Sequence, residues 1–325
     1  MHTHKRPVCD DLMNTIAVVF EGPERLSLSR LELSALGEAD VVVDVSWSGI
    51  STGTERLLWS GRMPPFPGMG YPLVPGYESV GRVSAAGPAA HVRVGEFVFV
   101  PGARCFGEVR GLFGGAAARV IVPGARVTPI DERLGEQGVL LALAATAYHA
   151  LASGAAAQPE LIVGHGALGR LLARIAVALG GEAPVVWETN GDRAAGAIGY
   201  AVVHPDDDAR RDYRAIYDVS GDGSLLDTLI ARLAAEGEIV LAGFYTAPLS
   251  FQFPPAFMRE ARIRVAAQWR PEDLAAVKAL VESGRLSLDG LVTHREEAKQ
   301  ASRAYRTAFE DTSCLKMVLD WKACS

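Results

Sequence analysis

The sequence has no Cys-x-x-Cys pair. Its four cysteines, Cys9, Cys105, Cys314 and Cys324, are scattered, which argues against a Cys-only structural zinc site and fits reduced thiols in the cytoplasm. No Lys/Arg block stands out, and the net charge is −6, so a nucleic-acid partner, which demands phosphate neutralisation, is not expected. The N-terminus, MHTHKRPVCDDLMN, lacks the apolar centre of a signal peptide. No apolar run is long enough to span a membrane; VLLALAATAYHALA is too short and too rich in alanine. Repeats and low-complexity segments are also absent. What remains is an ordinary globular chain of 325 residues, 49% hydrophobic and 22% charged, long enough for about two domains.

Residues 1–12 read as a disordered extension, with Met13 as an alternative start. Residues 13–135 are β-rich: IAVVF, VVVDVSW, VGRVS, EFVFV and ARVIV alternate with Gly/Pro turns, as in a small barrel. Within this region GRMPPFPGMGYPLVPG is a long loop carrying Met63, Phe66, Met69 and Tyr71. Apolar loops of this kind cover a core or a ligand. From residue 136 to 268 helices and strands alternate, which predicts right-handed crossovers and a parallel sheet covered on both faces. SLLDTLIARLAAEG reads as one helix of this set, and ALGRLLARIAVALGG as another, with Arg170 and Arg174 on a separate face from its leucines. Residues 269–325 supply a helix opened by Pro271 and stopped at Gly284, then a further helix and a final strand.

LIVGHGALGRLLARIAVALGG places Gly164-x-Gly166-x-x-Gly169 between a strand and a helix. The first glycine permits a tight turn, the second lets backbone approach a pyrophosphate, and the third lets helix and strand pack closely. The helix N-terminus offers unpaired N–H groups to the diphosphate, with Leu168 in its first turn. Glu188 closes the next strand, where a carboxylate accepts hydrogen bonds from both ribose hydroxyls of NAD and repels the 2′-phosphate of NADP. Arg193 is the counter-argument, since a guanidinium there can accept that phosphate. His165 either bonds the cofactor or is a solvated loop residue.

The order of these features resembles the medium-chain dehydrogenase/reductase superfamily. LVPGYESVGRVSAAG is similar to its G-H-E segment, VRVGEFVFVPG to its G-D-x-V strand, and GGAAARVIVP, TAY (with Thr146), the glycine fingerprint and VESGRLSLDGLVTH follow in family order. The resemblance implies an α/β fold, a Rossmann doubly wound parallel sheet plus a β-rich GroES-like barrel domain completed by the C-terminal segment. It also implies cofactor contacts from Thr146 and Gly243, and a homodimer through the edge strand ARIRVAAQ. Ser51 stands where zinc-dependent members carry a cysteine, Tyr77 where they carry histidine, and Ala142 at a further ligand position, while Glu78 is kept. Hydroxyls and a methyl do not make a zinc site; no metal is expected.

SGISTGTERLLWSGRMPPFPGMGYPLVPGYESVG, RCFGEVRGLFGGAA, VHPDDD and FPPAFMREARIRVAAQW further resemble the dehydrogenases that oxidise the 3-(1-hydroxyethyl) group of bacteriochlorophyllides to 3-acetyl in phototrophic bacteria. That resemblance implies NAD as cofactor and a broad apolar macrocycle as substrate, with cytoplasmic action, peripheral to photosynthetic membranes. Aromatic, Met and Pro surfaces suit such a disc: Trp59, Met63, Phe66, Met69 and Tyr71 are the candidates, with Arg56, Arg62 or Arg104 for the propionate. Without zinc a side chain must take the hydroxyl proton. Tyr77 is the first candidate, Ser51 and Thr52 are relays, and Glu78 acts directly or tunes Tyr77. Two other readings stay open: a zinc-free quinone or enone reductase, and a non-catalytic carrier of NAD or pigment.

Overall fold

The structure, a computed structural model, describes residues 14–152, 157–266 and 268–324. The expected N-terminal extension, residues 1–12, lies outside the described residues. The chain contacts divide into two units, one of residues 1–139 and 292–325, the other of residues 140–291.

The first unit opens with β1 (Asn14–Gly22), β2 (Arg25–Glu32), β3 (Asp40–Ile50), the short helix α1 (Thr54–Trp59) and β4 (Leu73–Pro75). It continues through β5 (Ser79–Ala86), β6 (Phe97–Val100), β7 (Arg110–Leu112), β8 (Arg119–Pro123) and β9 (Thr128–Pro129). The second unit runs α2 (Leu141–Ala152), β10 (Leu161–Val163), α3 (Ala167–Ala178), β11 (Val185–Trp187), α4 (Gly191–Ala194), β12 (Ala201–Val203) and β13 (Tyr213–Asp218). Then come α5 (Leu226–Arg232), β14 (Leu233–Leu241), α6 (Phe253–Met258), β15 (Arg262–Val265) and α7 (Pro271–Glu282). The chain returns to the first unit with β16 (His294–Glu297), α8 (Ala301–Glu310) and β17 (Met317–Asp320).

In the first unit a four-stranded sheet, β2-β1-β4-β7, accompanies a larger one ordered β16-β17-β3-β5-β6-β9, with β8 also on β3. Val18, Phe20, Val41, Val43, Leu73, Val98 and Val120 are buried in their common core together with their neighbours Val19 and Val42, as the short apolar runs between Gly/Pro turns predict. The C-terminal strand matters most for function. β17 pairs antiparallel with β3, Met317 opposite Ile50, so the end of the chain is brought beside Ser51.

The second unit carries a parallel sheet ordered β12-β11-β10-β13-β14-β15. Strand order reverses between β10 and β13, and ligands of such sheets bind outside the carboxyl ends of the strands at that point. β15 is an edge strand, as expected for ARIRVAAQ.

Two local readings change. The helix expected to run on through Gly237 stops at Arg232; Leu233 already pairs with Tyr213, and Glu236, at φ +58°, sits in an irregularity of the strand. A left-handed residue cannot continue a helix, and tertiary pairing overrides the Ala/Leu propensity of this stretch. The helix opened by Pro271 falls in the second unit, and the return begins near residue 292 rather than 269. The face of α3 that carries Arg170 and Arg174 is itself covered. Both side chains are buried and donate hydrogen bonds to the carbonyls of His165 and Arg193, and of Ser287 and Asp289, respectively.

Candidate functional site

Two constellations carry the chemistry, one in each unit. In the second unit the three glycines of the fingerprint each have a separate physical reason. Gly164 turns at φ +104°, in the left-handed region open to glycine. A Cβ on Gly169 would sit 1.9 Å from the Gly164 carbonyl oxygen, so helix α3 can approach the turn only without a side chain there. A Cβ on Gly166 would meet nothing within 4 Å. That glycine leaves open space at the helix N-terminus, where no side chain caps the first-turn N–H groups. This is the cradle a diphosphate fills. Gly164 packs against Val219 and Ser220, just past β13, and Gly243 lies against Gly221, so these backbone turns gather at the carboxyl ends of neighbouring strands. Gly169→Ala is expected to lower NADH affinity at least tenfold, read by titrating nucleotide fluorescence, because the clash is with backbone and cannot relax through a side chain.

Glu188 is half-buried beyond β11, and its carboxylate accepts the backbone N–H groups of His165 (3.1 Å) and Asn190 (2.8 Å). Those bonds fix its orientation. His165 is fully buried and is neither a solvated loop residue nor a free donor. Its Nδ1 lies 2.6 Å from the Arg193 carbonyl, which can only accept, so Nδ1 carries the proton and Nε2 accepts the Tyr200 hydroxyl at 2.8 Å. Burial pushes its pKa down to about 4, so the ring is neutral and holds the 188–200 segment to the fingerprint. Leu168 is partly buried in the first turn of α3, and Arg193 lies in α4. The Thr146 hydroxyl donates to its own helix at Ala142.

The first unit holds the second constellation. The turn after β3 places Ser51 Oγ 2.8 Å from the Tyr77 hydroxyl, and Thr54, at the start of α1, lies 3.5 Å from the same oxygen. Sequence reasoning expected Thr52 as a relay; Thr52 is exposed, and Thr54 is the threonine that faces Tyr77. Burial raises the Tyr77 phenol well above its usual range, with Glu78 adding to the effect, against the bonds to Ser51 and Thr54. The group is therefore a neutral phenol at physiological pH.

Glu78, expected to act directly or to tune Tyr77, adds to the upward push on that phenol. It is fully buried, and one carboxylate oxygen accepts Lys316 Nζ at 2.6 Å in an ion pair. Lys316 also donates to the Ile50 carbonyl. Gly49 makes room for this pair: a Cβ there would lie 2.4 Å from a Glu78 oxygen.

Glu55 was missed by sequence reasoning. Its two oxygens accept the Ser51 N–H (2.8 Å) and the Tyr305 hydroxyl (2.7 Å). Burial lifts its pKa to about 7, offset in part by those two bonds. A visible signal existed, since Glu55 follows Ser51 by four residues in the quoted turn. Because the folded pKa lies above the usual 4.5, the folded state holds an extra proton between those values. The stabilisation this brings is complete below pH 4.5 and is lost as pH rises through about 7. Glu55→Gln, which mimics the protonated acid, is therefore expected to gain on the parent by about 3 kcal/mol between pH 4.5 and 8. Urea unfolding of both proteins over that range checks the slope.

The loop candidates pack on the core of the first unit. Trp59 stands edge-on to Phe20 at 5.5 Å, Tyr71 donates its hydroxyl to the Leu58 carbonyl, and Met63, Phe66 and Met69 are partly buried. Arg56 is exposed. The aromatic that meets Tyr77 is Phe113, also unforeseen, edge-on at 5.7 Å.

Comparison with known proteins agrees with this architecture. Residues 37–132 match the alcohol dehydrogenase GroES-like domain. The chain is 59% identical, over 95% of its length and 99% of the relative's, to the 2-desacetyl-2-hydroxyethyl bacteriochlorophyllide A dehydrogenase of Rhodobacter capsulatus. It is 57% identical, over 96% and 99%, to the protein of the same name from Cereibacter sphaeroides. Among solved structures, an alcohol dehydrogenase of E. coli in complex with NADH shares the fold (TM-score 0.81, 20% identity, 95% of this chain and 99% of that one). The chain thus belongs to the medium-chain dehydrogenase/reductase family, within its bacteriochlorophyllide A dehydrogenase group.

Proposed function

We propose that the chain oxidises the 3-(1-hydroxyethyl) group of a bacteriochlorophyllide to 3-acetyl, with NAD as hydride acceptor and without zinc. The 59% identity to a relative named for this substrate, over nearly the whole of both chains, carries the reading. The fingerprint supports the cofactor: open space at Gly166, the close approach at Gly169 and an oriented Glu188 fit a dinucleotide diphosphate and ribose. When bound, NAD supplies the site that takes the hydride. Gly164, Gly166, Leu168 and Gly169 would hold the diphosphate, Glu188 the ribose, with Thr146, Arg193 and Gly243 nearby in the fold.

The donor set argues for metal-free chemistry. Ser51 and Tyr77 are hydrogen-bonded to each other, both in neutral hydroxyl form, and offer neither thiolate nor imidazole. In our reading Tyr77 takes the substrate's hydroxyl proton while handing its own to Ser51 or Thr54, each of which releases its own hydroxyl proton in turn, so that the net proton of the oxidation leaves to solvent. Glu55 and the Glu78–Lys316 pair hold that turn in place.

No helix among the described residues is long and apolar enough to cross a membrane. The protein would act in the cytoplasm, peripheral to the membranes that use its product. A homodimer through β15 fits the exposure of Ile263 (38%) and Val265 (74%) on that edge, next to Phe257 and Met258.

The test is an anaerobic assay with purified protein, NAD, 3-(1-hydroxyethyl)-bacteriochlorophyllide a and a chelator, following the pigment's long-wavelength band. A red shift that grows with NADH is expected. NAD binding without the shift would sink the reading in favour of a carrier or of a reductase with another substrate. In the same assay Glu188→Ala is expected to raise the KM for NAD about tenfold or more, since it removes charge-assisted bonds worth on the order of 1.5–3 kcal/mol each.

A further inference from the structure

Phe113 is an aromatic side chain left 37% exposed between neighbours that are not: Leu112 is 6% exposed and Ala116 1%. Its backbone is held from two sides. Ala103 N–H donates to the Phe113 carbonyl at 2.8 Å, and on the other side Phe113 bridges to Pro75 while Gly114 N–H donates to Val74. Two glycines permit this. Gly102 (φ +99°) and Gly114 (φ +82°) each occupy conformations unfavourable for other residues, and a Cβ on either would fall within 2.2 Å of a carbonyl oxygen, that of Phe113 or of Ala103. The fold thus fixes the position of an aromatic residue that it leaves partly exposed.

That ring stands edge-on to Tyr77, centroids 5.7 Å apart and planes at 80°, and Tyr77 in turn reaches Ser51. The part of Phe113 that stays exposed, 37% of the residue, is available to a flat π-system, which offset stacking favours. In a hydroxyethyl pigment the reacting carbon is bonded directly to the conjugated ring, so a macrocycle on Phe113 would carry its alcohol carbon close to its own plane and towards the Tyr77 hydroxyl. We propose that Phe113 is a specificity-determining residue: its exposed face stacks on the tetrapyrrole and registers the hydroxyethyl group beside Tyr77. The inference rests on the pigment-oxidising function proposed above and adds the residue that selects a flat aromatic substrate.

The experiment compares the parent with Phe113→Ala, Phe113→Leu and Phe113→Tyr in the NAD-coupled pigment assay, with KM for pigment, KM for NAD, kcat and unfolding temperature measured for each. Leu keeps the bulk and apolarity but has no aromatic face, so it carries the test should Ala fail to fold. The expected result is a pigment KM raised roughly five- to twentyfold in Phe113→Ala and Phe113→Leu, with the NAD KM unchanged and Phe113→Tyr close to the parent. A pigment KM within twofold of the parent in Phe113→Leu overturns the proposal. So does a loss that Phe113→Tyr fails to restore, which would mark the ring as packing for the first unit. If the parent itself does not oxidise the pigment, the functional reading fails and this inference goes with it; the parent's activity tells the two failures apart.

Discussion

Tyr77→Phe lowers turnover of the hydroxyethyl pigment by roughly 10²–10⁴-fold, the range for loss of a positioned proton-transfer group, while the unfolding temperature stays near that of the parent. The substitution deletes one oxygen and keeps the ring that packs against Phe113. What is lost is the hydroxyl 2.8 Å from Ser51. Because burial holds this phenol far above its ordinary range, Tyr77 does not wait as a phenolate base; it takes a proton only as it gives one up. Ser51→Ala removes one acceptor of that proton and leaves Thr54, at 3.5 Å, as the other, so a smaller loss, about tenfold, is expected. Single-turnover measurement of NADH formation separates this chemical step from product release. Parent-like turnover in Tyr77→Phe would take Tyr77 out of the proton path.

The contrast between the two constellations explains what a linear reading of this chain can see. The dinucleotide site is local: Gly164, Gly166 and Gly169 lie within one turn, and Glu188 closes the next strand, so spacing alone conveys most of its geometry. Ser51 and Tyr77 were legible through the family resemblance, because they stand where zinc-dependent members carry cysteine and histidine. The residues around them were not. Lys316 is 238 positions from Glu78 and Tyr305 is 250 from Glu55, and both arrive only because β17 and α8 return to the first unit. No periodicity announces such a meeting.

Burial decides what charge and apolarity alone leave open. Arg170 and Arg174 carry charge and lie off the leucine stripe of α3, and the sequence does not say what covers that face. Here backbone carbonyls replace water as their partners, a compensation that composition cannot reveal. Trp59, Phe66 and Tyr71 illustrate the converse. An apolar loop can serve a core as well as a ligand, and these side chains pack on the core of the first unit, whereas Phe113, in a glycine-rich stretch, stays 37% exposed.

Lys316→Met is the substitution with the largest expected effect on stability. It removes the partner of a carboxylate that is fully buried, 0% exposed, and whose second oxygen meets no hydrogen-bond donor among the described residues. Breaking a buried pair from one side strands the remaining charge, at a cost of about 3–5 kcal/mol. Met spans much of the lysine's length, so packing changes little and the loss is electrostatic. Glu78→Gln in the same background should recover most of it, since a neutral amide no longer needs the ammonium and can still occupy the space beside Gly49. Urea unfolding of the two single variants and the double variant measures the coupling; additive losses would mean that Lys316 stabilises the turn through the Ile50 carbonyl rather than through Glu78. The cycle also bears on activity. If the pair serves to hold the β3 turn, the double variant regains turnover along with stability, whereas a protein restored in stability but still slow would place the charge of Glu78 itself among the groups that govern proton transfer at Tyr77.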